Sequence, residues 1–151
     1  QVILSTKEGQ AIRFKDKDVR VMGRNASGVR GIKLDKGDSV VGTDVVRKDM
    51  KNPEFLVISA NGYGKKTPID EYKVQGRGGS GIITMKVTDK TGKIIASKVV
   101  TEEEEEIAAI SKKSQVIRVE IKEIPSLGRQ TQGVRIMKLR DGDSIASITC
   151  I

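Results

Sequence analysis

Three arginines stand in matched surroundings along this chain and are its first candidates for chemistry. Gly23-Arg24 precedes Gly28-Val29, Gly76-Arg77 precedes Gly81-Ile82, and Gly128-Arg129 precedes Gly133-Val134. The pattern G-R-x-x-x-G-[VI] thus recurs at starts 53 and 52 residues apart. A guanidinium is permanently charged and presents a planar fork of donors that suits phosphate oxygens. Glycine beside it allows close backbone approach, and exposed N–H groups can bind phosphate as well. A lysine follows each second glycine five residues on: Lys33, Lys86 and Lys138. Equivalent positions in stacked units fall on one edge, so the three arginines are predicted to form a row of cations. A curved cationic row matches the phosphate track of a bent duplex and positions it without reading bases.

Other chemistry finds little support. Histidine is absent, which removes His acid/base catalysis, His metal ligands and a Ser-His-Asp triad. The single cysteine, Cys150, excludes an internal disulfide and fits a reducing compartment. It lies in the closing apolar run Ile148-Thr149-Cys150-Ile151, where it is expected to be a small buried hydrophobe. Gln75-Gly76-Arg77-Gly78-Gly79-Ser80-Gly81 lacks the G-K-[ST] ending of a phosphate-binding P-loop. Asp16 with Asp18, and Asp141 with Asp143, suit turn solvation better than metal binding. Tyr63 has no obvious base nearby and is predicted to be a loop residue beside two phosphate-binding lysines, Lys65 and Lys66. Aromatics are 3% of the chain, too few for recognition by many stacked bases.

The elements that would position these groups are repeated. A serine lies 17 or 18 residues upstream of each Gly-Arg pair, at Ser5, Ser59 and Ser111, and ends an apolar run. Period-two alternation in Arg118-Val119-Glu120-Ile121 and Ile83-Thr84-Met85-Lys86-Val87 predicts strands. Asp35-Lys36-Gly37-Asp38, Asp89-Lys90-Thr91-Gly92 and Arg140-Asp141-Gly142-Asp143 predict hairpin turns. The fold class is therefore all-β, with propeller-like units at residues 1–50, 51–101 and 102–151. Each is expected to be an antiparallel sheet of about four short strands. Stacked side by side they can share cores while their outer faces stay open. The absence of an initiator Met and the start within an apolar run suggest a piece of a longer protein.

The net charge is +8, from 28 basic and 20 acidic side chains. Units one to three carry +4, +5 and −1 respectively. Glu102 to Glu106 make the third unit negative and are predicted to be a solvated inter-unit loop; an element competing with an anionic ligand is the alternative. Lys48 to Glu54, with Pro53, is predicted to be a linker. No apolar run reaches the roughly 20 residues of a membrane helix.

Val21 to Ile32, Asn61 to Thr67 and Gly128 to Arg135 closely resemble the C-terminal domain of bacterial DNA gyrase A subunits, across essentially the whole chain. The order of the segments resembles that family's last three blades. Gln75 to Gly81 is similar to the family's Q-R-R-G-G-K-G box, with Gly76 in place of the first arginine and Ser80 in place of the lysine. The resemblance implies a β-pinwheel, in which neighbouring blades exchange a strand, and DNA wrapped with positive handedness on its rim. The residues expected to contact DNA are Arg24, Arg30, Lys33, Lys65, Lys66, Gln75, Arg77, Lys86, Arg129, Arg135 and Lys138. Charge reversal at Arg24 or Arg77 is expected to weaken binding more than reversal at Lys90, in a hairpin turn. Catalytic residues, metal and cofactor are expected to be none in this chain, with ATP and magnesium used elsewhere in the holoenzyme. The expected partners are double-stranded DNA and the gyrase B subunit, in an A2B2 assembly without membrane contact. Localisation is expected to be cytoplasmic, at the nucleoid. The rival readings are the corresponding domain of topoisomerase IV and a propeller-like protein-interaction scaffold; a free-standing enzyme fits least.

Overall fold

The computed structural model describes residues 1–151. Eleven strands form, rich in Val, Ile and Thr, whose branched side chains suit a pleated surface. They are β1 (Val2–Thr6), β2 (Gln10–Phe14), β3 (Val40–Val45), β4 (Glu54–Ser59), β5 (Tyr63–Pro68), β6 (Ile82–Ile83), β7 (Ile94–Val100), β8 (Glu106–Ser111), β9 (Val116–Glu120), β10 (Val134–Arg135) and β11 (Ile145–Cys150). The only helical pieces are single 3-10 turns at Asp16–Asp18, Ile69–Glu71 and Ile121–Glu123. No helix is long and apolar enough to cross a membrane.

Three antiparallel sheets result, ordered β3-β1-β2-β6, β10-β5-β4-β7 and β11-β8-β9. The first two are completed from the following unit. β6, of the second unit, pairs with β2 through Gln10↔Ile83 and Ala11↔Ile82. β10, of the third unit, pairs with β5 through Gly64↔Val134 and Tyr63↔Arg135. Strands are thus exchanged between neighbours, as the family resemblance implies. The third sheet has three strands, where the sequence predicts four in every unit.

The middle sheet is buried on both sides. Phe55 and Val57 of β4 enter one core, with Ile3, Tyr72, Ile94 and Val99. Leu56 and Ile58, on its other face, enter a second, with Ile107, Ala109, Ile124 and Ile145. This explains the unbroken apolar run of β4. Phe55 and Tyr72 meet edge to face with centroids 5.5 Å apart. At the outer face of the third sheet, Ile110 is 50% exposed and Val116 68%. In this chain by itself that face is open.

Two local expectations need correction. The alternation from Ile83 to Val87 is a strand only as far as Ile83. Beyond it, Thr84 N and Met85 N both donate to the carbonyl of Gly9, so the chain turns across the β1–β2 tip instead of extending a ladder. The turns at Asp35–Asp38, Asp89–Gly92 and Arg140–Asp143 do not join hairpin partners. Each returns the chain to a sheet-edge strand that pairs with the unit's opening strand: β3 with β1, β7 with β4 and β11 with β8. The hairpins are β1–β2, β4–β5 and β8–β9.

Candidate nucleic-acid interface

Each Gly-Arg loop lies between a 3-10 turn and the returning edge strand, and the second and third dock on the preceding unit. Gln75 N donates to the Arg13 carbonyl at 2.8 Å, and Leu127 N donates to the Lys66 carbonyl at 2.8 Å, one repeat later. The second glycine of the motif is required by this docking. Gly81 has φ +77° and Gly133 φ +74°, and a Cβ on either would meet the backbone of β2 or β5. The first glycines, Gly23, Gly76 and Gly128, face open space. Close approach at the second glycine is therefore to protein backbone.

Two of the three arginines also donate to backbone carbonyls of the preceding unit. Arg77 donates from Nη1 to the Arg30 carbonyl at 2.5 Å and from Nε to the Asp18 carbonyl at 2.8 Å. Arg129 donates from Nη1 to the Ile83 carbonyl at 2.9 Å. Ile83 occupies in the second unit the place of Arg30 in the first, so the contact is one device used twice. Carbonyl partners orient a guanidinium without cancelling its charge, and donors remain on each half-buried side chain. Arg24 is exposed and makes no such contact.

Lys65 and Lys66 depart further from expectation. Lys65 is fully buried and donates to the carbonyls of Gly128 at 2.5 Å and Arg129 at 2.7 Å. Burial lowers its pKa to about 8, with Glu71 opposing and Arg129 reinforcing the shift. It occupies the position of Ile12 and Ile117 in the other units and cannot reach a phosphate. Lys66 pairs with Glu54 at 3.1 Å and keeps only 13% of its side chain exposed. Tyr63 is a strand residue, 5% exposed, and not a loop tyrosine. Gln75 is half-buried, its side-chain oxygen enclosed; Gly78 N donates to the Gly31 carbonyl, and the Gly79 carbonyl accepts from Lys33 N. The box-like loop, from Gln75 and Gly76 to Ser80 and Gly81, is thus an inter-unit joint with an exposed outer side. Arg30, Lys33, Lys86, Arg135 and Lys138 are exposed. Cys150 is half-buried and packs against the second core, and burial raises its thiol pKa.

The charge distribution holds a signal that the unit-by-unit count hides. Residues 19–34, 72–88 and 124–140 contain 11 of the 28 basic side chains and none of the 20 acidic ones. The rest of the chain has 17 basic against 20 acidic residues, net −3. All the ion pairs fall outside these segments: Arg47–Asp49, Lys66–Glu54, Lys93–Glu8, Lys98–Asp44, Arg118–Glu106 and Lys122–Glu120. Exposed Arg20, Lys73 and Arg140 belong to the same acid-free set and were missed by motif reading alone. Acid-free windows around each Gly-Arg pair would have found them. Glu102, Glu103 and Glu105 are exposed, as expected of a solvated loop, and Glu104 accepts hydrogen bonds from Thr101.

In sequence and fold the chain is similar to known proteins. A family model described as DNA gyrase C-terminal domain, beta-propeller, matches residues 1–47, 53–101 and 105–151. The DNA gyrase A subunit of Lawsonia intracellularis is 47% identical over 93% of this chain and 17% of its own length. That of Staphylococcus epidermidis is 40% identical over 97% of this chain and 16% of its own, and that of Aminobacterium colombiense 42% over 99% and 18%. The chain therefore spans less than a fifth of these relatives. A solved DNA gyrase A C-terminal domain matches with TM-score 0.88 at 33% identity, over 99% of this chain and 50% of that one. The C-terminal domain of DNA topoisomerase IV has the same fold, with TM-score 0.90 at 21% identity over 99% of this chain and 46% of that one. By its three matched units and its exchanged strands, the chain belongs to the DNA gyrase C-terminal domain family.

Proposed function

We propose that this chain binds duplex DNA without sequence specificity and curves it along the edge formed by the acid-free segments. The single observation that supports this most is that 11 cations occupy segments with no acidic residue, while every ion pair lies elsewhere. Phosphate contacts of this kind release counterions and hold a duplex in register. Bending a site of 20–30 base pairs costs on the order of 1–6 kcal/mol. A succession of contacts on joined blades can offset that cost, whereas one isolated patch cannot.

In the whole protein this chain would serve as a non-catalytic part of the gyrase A polypeptide. It would act with the gyrase B subunit on DNA at the nucleoid in the cytoplasm. Wrapping would present a segment for ATP-driven strand passage and so introduce negative supercoils. ATP, magnesium and the cleavage chemistry would be supplied outside this chain. The identities of 40–47% to gyrase A polypeptides favour this reading over topoisomerase IV. Titrating a duplex of about 150 base pairs, one persistence length, at several salt concentrations tests the proposal. Binding should weaken steeply as salt rises; salt-independent binding, or none at low salt, would sink it.

A further inference from the structure

Lys90 and Arg135 converge on one aromatic ring. Lys90 Nζ and Arg135 Cζ each lie 5.6 Å from the centroid of Tyr63, so the charges are at most about 11 Å apart, twice that distance. Arg135 also donates to the Tyr63 hydroxyl at 3.4 Å and faces Tyr63 in the β10–β5 register. Tyr63 is nearly buried, so its ring is a fixed platform. The turn that carries Lys90 is fixed as well. Asn61 Nδ2 donates to the carbonyls of Asp89 at 3.2 Å and Lys90 at 3.1 Å, and Asn61 N donates to the Thr91 carbonyl at 3.0 Å. Both cations are exposed, and neither belongs to an ion pair.

Two uncompensated positive charges are thus built over a single quadrupole, which attracts each but leaves their mutual repulsion unrelieved. An anion reaching both would relieve it. The corresponding place at the first joint lacks this chemistry. Gln10 faces Ile83 there, and Lys36 stands in the turn without an aromatic ring beside it. We infer that Lys90 and Arg135, held on Tyr63, form a phosphodiester-binding station unique to the second joint. It joins Lys90, which lies outside the acid-free segments, to Arg135, which lies within one, and draws the duplex backbone toward the Asp89–Gly92 turn. This inference rests on the DNA-binding reading above. It also reverses the expectation that Lys90 is remote from the track.

The test is the slope of log affinity against log salt for the full chain and a duplex of about 150 base pairs. Lys90→Gln and Arg135→Gln should each reduce the slope by about 0.9, and the double variant by about twice that. Lys36→Gln should leave it close to wild type. Tyr63→Leu should lower it without removing a charge, and Tyr63→Phe should preserve it. Thermal melting identifies any variant that fails to fold, and Lys90→Gln, on an exposed turn, remains decisive if Tyr63→Leu does so. An unchanged slope in Lys90→Gln, or an equal fall in Lys36→Gln, overturns the station while the wild-type slope upholds DNA binding. A flat wild-type slope overturns both.

Discussion

The Lys65 ammonium in the second unit donates to the Arg129 carbonyl in the third, at 2.7 Å. A buried cation thereby fixes the backbone of an arginine that belongs to the next unit. In the other units an isoleucine, Ile12 or Ile117, takes this place, so the joint between the second and third units has an ammonium bolt where the joint between the first and second has hydrocarbon.

Replacing that bolt should loosen the joint. Lys65→Met keeps the volume but leaves the Gly128 and Arg129 carbonyls without their donor. An unsatisfied buried acceptor costs about 1–3 kcal/mol, partly offset here because no ammonium need be desolvated. The expected net loss is about 1–2 kcal/mol by urea denaturation, larger than for Lys66→Met, whose partner Glu54 can be hydrated. Equal stability of Lys65→Met and wild type would refute the bolt.

The same residue sets a pH dependence. Its folded pKa is about 8, below the ordinary 10.5, because burial disfavours the charged form. Below pH 8 the ammonium is present in both folded and unfolded chains. Between about 8 and 10.5 the unfolded chain holds more protons, so this group makes stability rise with pH. The stability of wild type minus that of Lys65→Met should therefore increase across this window. Parallel pH profiles would show that Lys65 titrates normally.

The arginines should separate into two behaviours. Arg24→Gln removes a charge without a protein partner, so DNA binding falls while the melting temperature holds. Arg77→Gln removes the carbonyl grip as well. Both binding and stability should fall, the latter by about 1 kcal/mol for a charge-assisted bond on a half-exposed side chain. Arg77→Lys keeps the charge and loses the fork, so it should recover binding more than stability. Calorimetry beside a binding titration distinguishes these outcomes.

The two glycines of one motif should differ likewise. A Cβ at Gly133 would stand 2.7 Å from the Gly64 carbonyl oxygen, on a backbone with φ +74°. Gly133→Ala should lose at least about 1–2 kcal/mol and displace β10 from β5. Gly128→Ala faces open space and should change stability by no more than about 0.5 kcal/mol. Hydrogen exchange at Gly64 and Val134 reports the strand pairing directly.

The repeated units and their β character were legible because the spacing of Gly-Arg, serine and turn glycine repeats locally. Strand exchange was not derivable from the residues themselves. β6 and β10 are two residues long, and their partners lie about seventy residues upstream in the preceding unit. Period-two alternation also continues past Ile83 because Met85 faces the core, although Gly9 takes the N–H groups that a ladder would need. Lys65 misled for a related reason. A lysine beside glycine suggests solvent, and only alignment of the units in space shows it at an isoleucine's position. The Gly-Arg pairs stand out in the sequence, but the grip of Arg77 and Arg129 on the preceding unit depends on carbonyls that carry no sequence signal.

Since β6 completes the sheet of the unit before it, and β10 does the same one repeat on, tension from a stiff bent ligand falls on a seam rather than on any single unit. The articulation resembles roof tiles, each pinned beneath by the next. Peeling one rim strand must break pairing in one sheet and expose the flank of another. Mechanical unfolding of this chain by itself should therefore reach the doubly covered middle sheet last.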